Sequence, residues 1–472
     1  MKTGFINTKY FSKGQLRIDP SFHLSSCLKY YSLLKRCPYP ITSIKDCSSE
    51  VFLGNIFSRI FVADADNGVS YISPSCMTKK NPSTGKYIAN KQAKQLKRLL
   101  LKDNYILISC SGTIGNVVLT NKLFDGKIAS HDLIRVIPNE KNNLSGVLYA
   151  YLASSIGHSF LTQSKFGGVV KHINDEHVEQ IPIPIFPDDI QNRINTVIKE
   201  AKRLREEASD LLNQAEHILK TETNLRDLNV DDYNYYGSYK ENREVSCFVR
   251  NSKKIGSLTF HAFNHSERIR KTVGLLKSCN TIPLYDAFDE SKLQSPSGVS
   301  VIELEPNHGI MLINQSDIFD NIVKGKWVAN RPKYKKQLLQ YGEVLIAKIG
   351  TLGEGETFCR TVFVGEELAG QLVSSAFYRL KGTEECPSGY IFAWLNSDYG
   401  FRFLRSTQYG TKQCYPNPTI LYDLPIPIIE KSMIIQIDNM VKKAHTMRFH
   451  SNEKEKEAIS IIESEFEKWN KH

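Results

Sequence analysis

Two short strings, Gly112-Thr113-Ile114-Gly115 and Gly350-Thr351-Leu352-Gly353, have the make-up of turns whose backbone N–H groups can cradle an anion. The same make-up suits a tight turn set only by glycine's tolerance of positive φ. Cationic side chains gather ahead of each. No Asp or Glu occurs from 67 to 102, where Lys79, Lys80, Lys86, Lys91, Lys94, Lys97, Arg98 and Lys102 crowd together. None occurs from 321 to 342 either, which holds Lys324, Lys326, Arg331, Lys333, Lys335 and Lys336. Such stretches neutralise phosphates and set register on a nucleic acid. Asn90-Lys91 and Asn330-Arg331 lie inside them, and Asn suits an adenine edge as Arg suits guanine. Because both halves share this pair, a framework role fits equally well. Residues that differ between the halves, Lys165 and Lys171 against Lys412 and Gln413, are the better base readers.

Catalysis needs a constellation, and the familiar ones are missing. There is no G-x-x-x-x-G-K-[ST] loop to hold nucleotide phosphates. Asp19-Pro20-Ser21-Phe22 and Asn417-Pro418-Thr419 fall short of the Asn/Asp-Pro-Pro-aromatic motif of nucleobase amino-methyltransferases. Pro187-Asp188 followed by Glu200-Ala201-Lys202 imitates a metal-dependent nuclease, but a heptad pattern between them would spread Asp188 and Lys202 along roughly 20 Å of helix. His131, His172, His261 and His265 share no carboxylate pattern between the halves, and the ten cysteines include no C-x-x-C pair. We expect no catalytic residue, no metal and no resident cofactor.

The elements that must position these residues come twice. Ile181-Pro182-Ile183-Pro184-Ile185 recurs as Leu424-Pro425-Ile426-Pro427-Ile428, an offset of 243. Tyr87-Ile88-Ala89-Asn90-Lys91 recurs as Trp327-Val328-Ala329-Asn330-Arg331 at 240, and the Gly-x-x-Gly strings recur at 238. Drift of a few residues means loop insertions on a shared framework. Apolar runs flank each Gly string, short helices are predicted over 146–161 and 388–404, and alternating Pro makes the Ile-Pro-Ile-Pro segment an edge or exit strand. The fold class is α+β, with two similar domains in tandem.

A long helix follows each Pro-rich strand. From Asp188, a plausible N-cap, Ile190, Val197, Leu204, Leu211, Ile218 and Leu225 recur every seven residues, with Ile194, Ala201, Ala208 and Ala215 as a companion seam. The second copy places Ile437, Met440, Ala444, Met447, Ser451 and Ala458 in equivalent positions, so small residues face small ones. We expect an antiparallel coiled-coil pair within the chain, carrying the domains at opposite ends. Lys454, in place of Leu211, should weaken the seam midway.

The 472 residues suffice for two or three domains with their own cores. A net charge of +11 favours a polyanionic partner. With no signal-like or membrane-spanning apolar run, the expected location is the cytoplasm.

The two Gly strings, and a Pro-rich strand running into a long helix, resemble the specificity subunit of type I restriction-modification systems over about residues 14 to 470. The resemblance implies a first target recognition domain over 1–186, a central helix over 187–226 and a linker over 227–257. A second target recognition domain over 258–429 and a C-terminal helix over 430–472 would follow. It implies a noncatalytic reader of double-stranded DNA in which each domain reads half of a bipartite site. The helix pair would space the halves and dock two modification (methyltransferase) subunits, with restriction subunits as further partners. S-adenosylmethionine and ATP would then belong to the partners. The rival readings are a fused DNA-modifying enzyme with restriction or methyltransferase activity in this chain, and a coiled-coil scaffold that never touches DNA.

Overall fold

The computed structural model describes residues 27–139, 144–163, 172–229, 232, 248–252, 255, 259–289, 293–298 and 301–470. It is mixed helix and sheet, and divides into two compact units, Met1–Glu206 with His450–His472 and Glu207–Phe449. The boundaries fall within the two long helices, so each unit includes part of both. The domain limits expected from sequence instead placed each helix whole outside the domains.

In the first unit, α1 (Cys27–Leu34) and β1 (Ile41–Ser43) lead into β2 (Ser48–Leu53), β3 (Phe61–Val62), β4 (Gly68–Ile72) and β5 (Tyr87–Ala89). A one-turn α2 (Asn90–Ala93) is followed by β6 (Ile106–Ser109), β7 (Val117–Leu119), β8 (Ile128–Ala129) and β9 (Leu133–Pro138). Helices α3 (Ser145–Ala153), α4 (Ser155–Gln163) and α5 (Asp175–Glu179) precede β10 (Pro182–Pro184) and the long α6 (Asp188–Glu222). One sheet runs β2-β9-β6-β7 and another β3-β5-β4-β8, the last pair parallel. Strand β6 is buried at all four positions, as a central strand must be.

The second unit repeats this register. After α7 (Glu267–Gly274) come β11 (Thr281–Pro283), β12 (Ile310–Ile313), β13 (Lys326–Val328), β14 (Glu343–Ala347), β15 (Thr361–Phe363), β16 (Leu372–Val373) and β17 (Phe377–Lys381). Then follow α8 (Ser388–Asn396), α9 (Asp398–Ser406), β18 (Gln408–Tyr409), β19 (Tyr415–Pro416), α10 (Pro418–Tyr422), β20 (Pro425–Pro427) and α11 (Lys431–Asn470). The sheets β15-β14-β17 and β13-β12-β16 match their counterparts, again with one parallel pair.

Among the described residues each Pro-rich strand has one neighbour, β10 on β1 and β20 on β11, as suits an edge strand without N–H donors at its prolines. Its carbonyls are taken by buried aromatic donors: Tyr151 Oη donates to Pro182 O at 2.6 Å, and Trp394 Nε1 to Pro425 O at 2.9 Å.

Two expectations need correction. The helices over 146–161 and 388–404 are each broken in two, because Ser154 and Ser397 adopt extended backbone and their hydroxyls accept from Gly157 N and Gly400 N at 3.2 Å. A Cβ on either glycine would lie 2.1 Å from a carbonyl of the preceding helix, so the tight corner requires glycine. Asp188 also lies inside the first turn of α6, where its charge complements the helix dipole, rather than capping it.

The buried faces of the long helices differ from the heptad reading. Ile194, Val197, Ala201, Ala208 and Ala215 are buried, but Leu204 and Leu211 are only half-buried. On α11, Ile437, Ala444, Ser451 and Ala458 are buried while Met440 and Met447 are half-buried. The inner line runs through Ile198 and Leu219 on α6 and through Val441, Glu455 and Ile462 on α11. Lys454 therefore sits on the flank, paired with Glu457 at 2.9 Å. In the first unit Ser451 Oγ donates to Ala201 O at 2.7 Å, an approach that Ala201 permits, and Phe466 and Trp469 join the core. Leu225 and Leu228 belong to the second unit's core, so the linker cannot begin at 227; most of its expected span lies outside the described residues.

Candidate nucleic-acid interface

In the first unit the basic stretch follows the β3-β5-β4-β8 sheet. Ile88 is fully buried at the middle of β5, which leaves Lys86, Asn90 and Lys91 exposed around it. Lys94 and Lys97 are exposed as well, whereas Lys79 and Lys80 are half-buried. Arg98 is exposed but already engaged by Glu50, with its guanidinium 4.4 Å from the Phe52 ring centre. Asn90 is also committed: its Nδ2 donates to Asp66 O and its backbone N to Asn67 O, both at 3.0 Å. That supports the framework role for the shared pentapeptide and takes Asn90 away from base contact.

In the second unit Lys333, Lys335 and Lys336 stand exposed on a 3-10 turn, Pro332–Gln337, whose Tyr334 is buried as the anchor. Lys324, Lys326 and Asn330 are exposed and Arg331 half-buried, and Lys326 is ion-paired with Glu303. Lys412 and Gln413 lie exposed on the turn between β18 and β19, where Tyr415 Oη donates to Gln413 Oε1 at 3.0 Å. Lys165 and Lys171 lie outside the described residues.

The Gly strings occupy equivalent places. Gly112, Thr113 and Gly115 close the turn between β6 and β7, with φ of +70° at Gly112 and +84° at Gly115. Two amides at its end are used internally: Gly115 N donates to Ser109 O at 2.9 Å and Asn116 N to Ser109 Oγ at 3.0 Å. This arrangement favours a structural turn over an anion cradle. Gly350, Thr351 and Gly353 begin a longer loop between β14 and β15, not a tight hairpin. Gly350 exchanges backbone hydrogen bonds with Cys414, as Ser111 bridges His172 in the first unit, so the loop is brought beside Lys412 and Gln413.

Gly112→Ala should cost about 1–2 kcal/mol of stability, because the site is open and only the backbone conformation is penalised. Gly115→Ala should cost more, since a Cβ there would lie 3.1 Å from the His158 ring. Urea unfolding midpoints of the two variants give this order directly.

Sequence reasoning missed the side chains beneath these turns. His158 Nδ1 lies 3.2 Å from Gly115 O. In the second unit Arg405, fully buried, donates to Leu352 O at 2.6 Å and Gly353 O at 2.9 Å. Arg360 and Arg405 stack on the Phe401 ring, and Arg402 pairs with Glu354 at 2.7 Å. Burial, reinforced by the neighbouring arginines, brings Arg360 down to about 10. Two further buried arginines lie 244 residues apart on β9 and β17. Arg135 Nη2 donates to Ala129 O at 2.7 Å and is pushed down to about 10 by burial. Arg379 binds Glu343 through two contacts at 2.7 and 2.9 Å and also holds Gln337 O, the end of the lysine-bearing turn. Arg135 and Arg360 remain cationic at neutral pH, and all these arginines act as internal scaffolding. Among the described residues no group of three metal-capable side chains comes together, and no helix is long and apolar enough to cross a membrane.

Residues 50–217 match the family model for the type I restriction modification DNA specificity domain. No curated protein matches the chain. Solved structures similar to it include the type I restriction-modification S subunit from M. genitalium, 12% identical, covering 92% of this chain and 96% of that one with a TM-score of 0.36. The HsdS subunit from Thermoanaerobacter tengcongensis is 13% identical over 91% and 97%, with a TM-score of 0.28.

Proposed function

Since residues 50–217 carry a type I restriction-modification DNA specificity domain, we propose that the chain is the noncatalytic subunit that reads a bipartite DNA target for such a complex. The observation that supports a second reader is the recurrence of the first unit's framework in the second. The central strand triplet, the small sheet with one parallel pair, the Gly-turn bridge and the Pro-rich edge strand all recur. Each unit then contacts one half-site, with exposed lysines on phosphates and neighbouring side chains on bases.

In this reading α6 and α11 form an antiparallel coiled-coil pair that sets the distance between half-sites. The contacts of Arg193 with Glu457 and of Ala201 with Ser451 support it, because the residue number on α11 falls as that on α6 rises. Two modification subunits dock on the helices, and a surface groove lined by Leu211, Ile435 and Met440 offers them apolar contact. S-adenosylmethionine and ATP are carried by those partners and by restriction subunits.

The test is a gel-shift titration of the chain with its modification subunits, on duplexes whose half-sites are taken from the modified-base map of cellular DNA. Tight binding that needs both half-sites and falls steeply with salt is expected. Binding indifferent to salt, or none, would overturn the proposal.

A further inference from the structure

We propose that the edge segment of the small sheet, residues 56–61 in the first unit and 301–304 in the second, is the element that contacts base edges. This rests on the DNA-reading function above and names the residues that carry its specificity.

The backbone of this edge is the same in both units. Ala89 N donates to Ile60 O at 2.9 Å, and its counterpart Ala329 N donates to Ile302 O at 3.1 Å. Among the described residues of the first unit β3 pairs only with β5, which leaves its outer edge without a strand partner among them; in the second, Leu304 N continues the same ladder onto Trp327 O at 2.8 Å. In the register of those bonds Ile60 and Ile302 are matched and identical, while their neighbours diverge, Arg59, Phe61 and Val62 against Val301, Glu303 and Leu304. A constant frame with divergent side chains is what two readers of different sequences require.

Those side chains are also apolar and exposed: Ile56 by 84%, Ile60 by 59% and Phe61 by 41%, with Ile302 at 52% and Val301 at 41%. Clustered apolar exposure of this kind marks a contact surface, and an open strand edge is otherwise a liability. The surrounding charge decides the occupant. Lys86 Nζ stands 5.3 Å from the Phe61 ring centre, and Arg59 lies 5.5 Å from the Tyr71 ring centre, with the acid-free stretch adjoining. The acidic neighbours are Asp132, 4.0 Å from Arg59, Asp64 and Asp66 on the turn after β3, with Asp64 accepting from Asn67, and in the second unit Glu303, paired with Lys326, and Glu305. Apolar tips flanked by cations suit a duplex, where thymine methyl groups line the major groove between phosphate rails. The scaffolding role of Asn90 fits the same division, since it fixes the turn beside the reading edge.

The experiment selects duplexes from a library randomised at both half-sites, using the full chain with its modification subunits. Ile60→Ala/Phe61→Ala should lower base preference about tenfold at one or more positions of one half-site. The other half-site and the salt dependence should stay unchanged; Ile302→Ala should give the mirror result. Ile56→Ser, on an irregular and almost fully exposed position, provides a variant that does not disturb packing. Unchanged preference in all three variants overturns the proposal. So does loss of modification-subunit binding with preference intact, which would assign the edge to a protein partner. Failure of the DNA-reading function itself would appear separately, as wild-type complex that retains no duplex.

Discussion

Arg205→Ala is expected to destabilise the first unit by about 3–5 kcal/mol, the usual penalty for breaking a buried ion pair from one side. Arg205 makes two contacts of 2.9 Å with Glu455 and one of 3.0 Å with Asn452 Oδ1, and Tyr149 Oη donates to Glu455 Oε1 at 3.0 Å. Both charged side chains are nearly withdrawn from water. Removing the guanidinium leaves the Glu455 carboxylate buried with only the tyrosine hydroxyl to offset its missing hydration. The double change Arg205→Leu/Glu455→Leu should recover most of the loss. The second unit already fills the counterparts of Glu455 and Tyr149, at the offset of 243, with Leu212 and Phe392. Urea unfolding of the three proteins decides the matter. If Arg205→Ala falls within about 1 kcal/mol of wild type, the network does not act as a buried pair.

The second large effect is electrostatic. Replacing Lys91, Lys94 and Lys97 together by Ala should reduce the slope of log affinity against log salt by about 2.7, at roughly 0.9 for each phosphate no longer neutralised. These three are exposed, so the weaker binding should come from absent charge rather than from a damaged core. The wild-type advantage over the variant should then shrink about 40-fold between about 50 and about 200 mM salt. Equal slopes would show that these lysines face away from DNA. Arg98→Ala should change the slope less, because Glu50 already compensates that charge.

The duplication was legible because it preserved both residue types and spacing, and the Pro-rich strand because proline excludes a central position. The Ala seam was legible for the same reason, but its companion line was not. Counting apolar residues selects Val197, Leu204 and Leu211, whereas the inner line of α6 passes Ile198 and runs through Arg205, which faces the buried Glu455 of α11. A charged residue that buries itself by pairing is invisible to a hydrophobic pattern. Arg379 and Arg405 escaped notice likewise, since each resolves its charge through a carboxylate or carbonyls far away in sequence, and so did Arg135, which turns onto the nearby carbonyls of Ala129 and Leu133. The helix breaks did leave a signal: Ser154-Ser155-Ile156-Gly157 and Ser397-Asp398-Tyr399-Gly400 are capping strings hidden inside apolar runs. At the interface, the cationic stretches were readable as composition. The exposed edge beside them was not, because its pairing depends on which loops the chain crosses to reach it.

The pairing of β1 with β10 and of β11 with β20 means that the sheets of each unit begin and end on the same small ribbon. Ile185 N reaches back to Pro40 O, and Ile428 N to Asn280 O, each at 2.8 Å. Entry and exit therefore sit side by side, and everything between them is a loop thrown out from one clasp. A module of different sequence could be spliced in at those two points with the flanking helices left as they are. Each unit is thus built so that a single segment could be exchanged at one clasp.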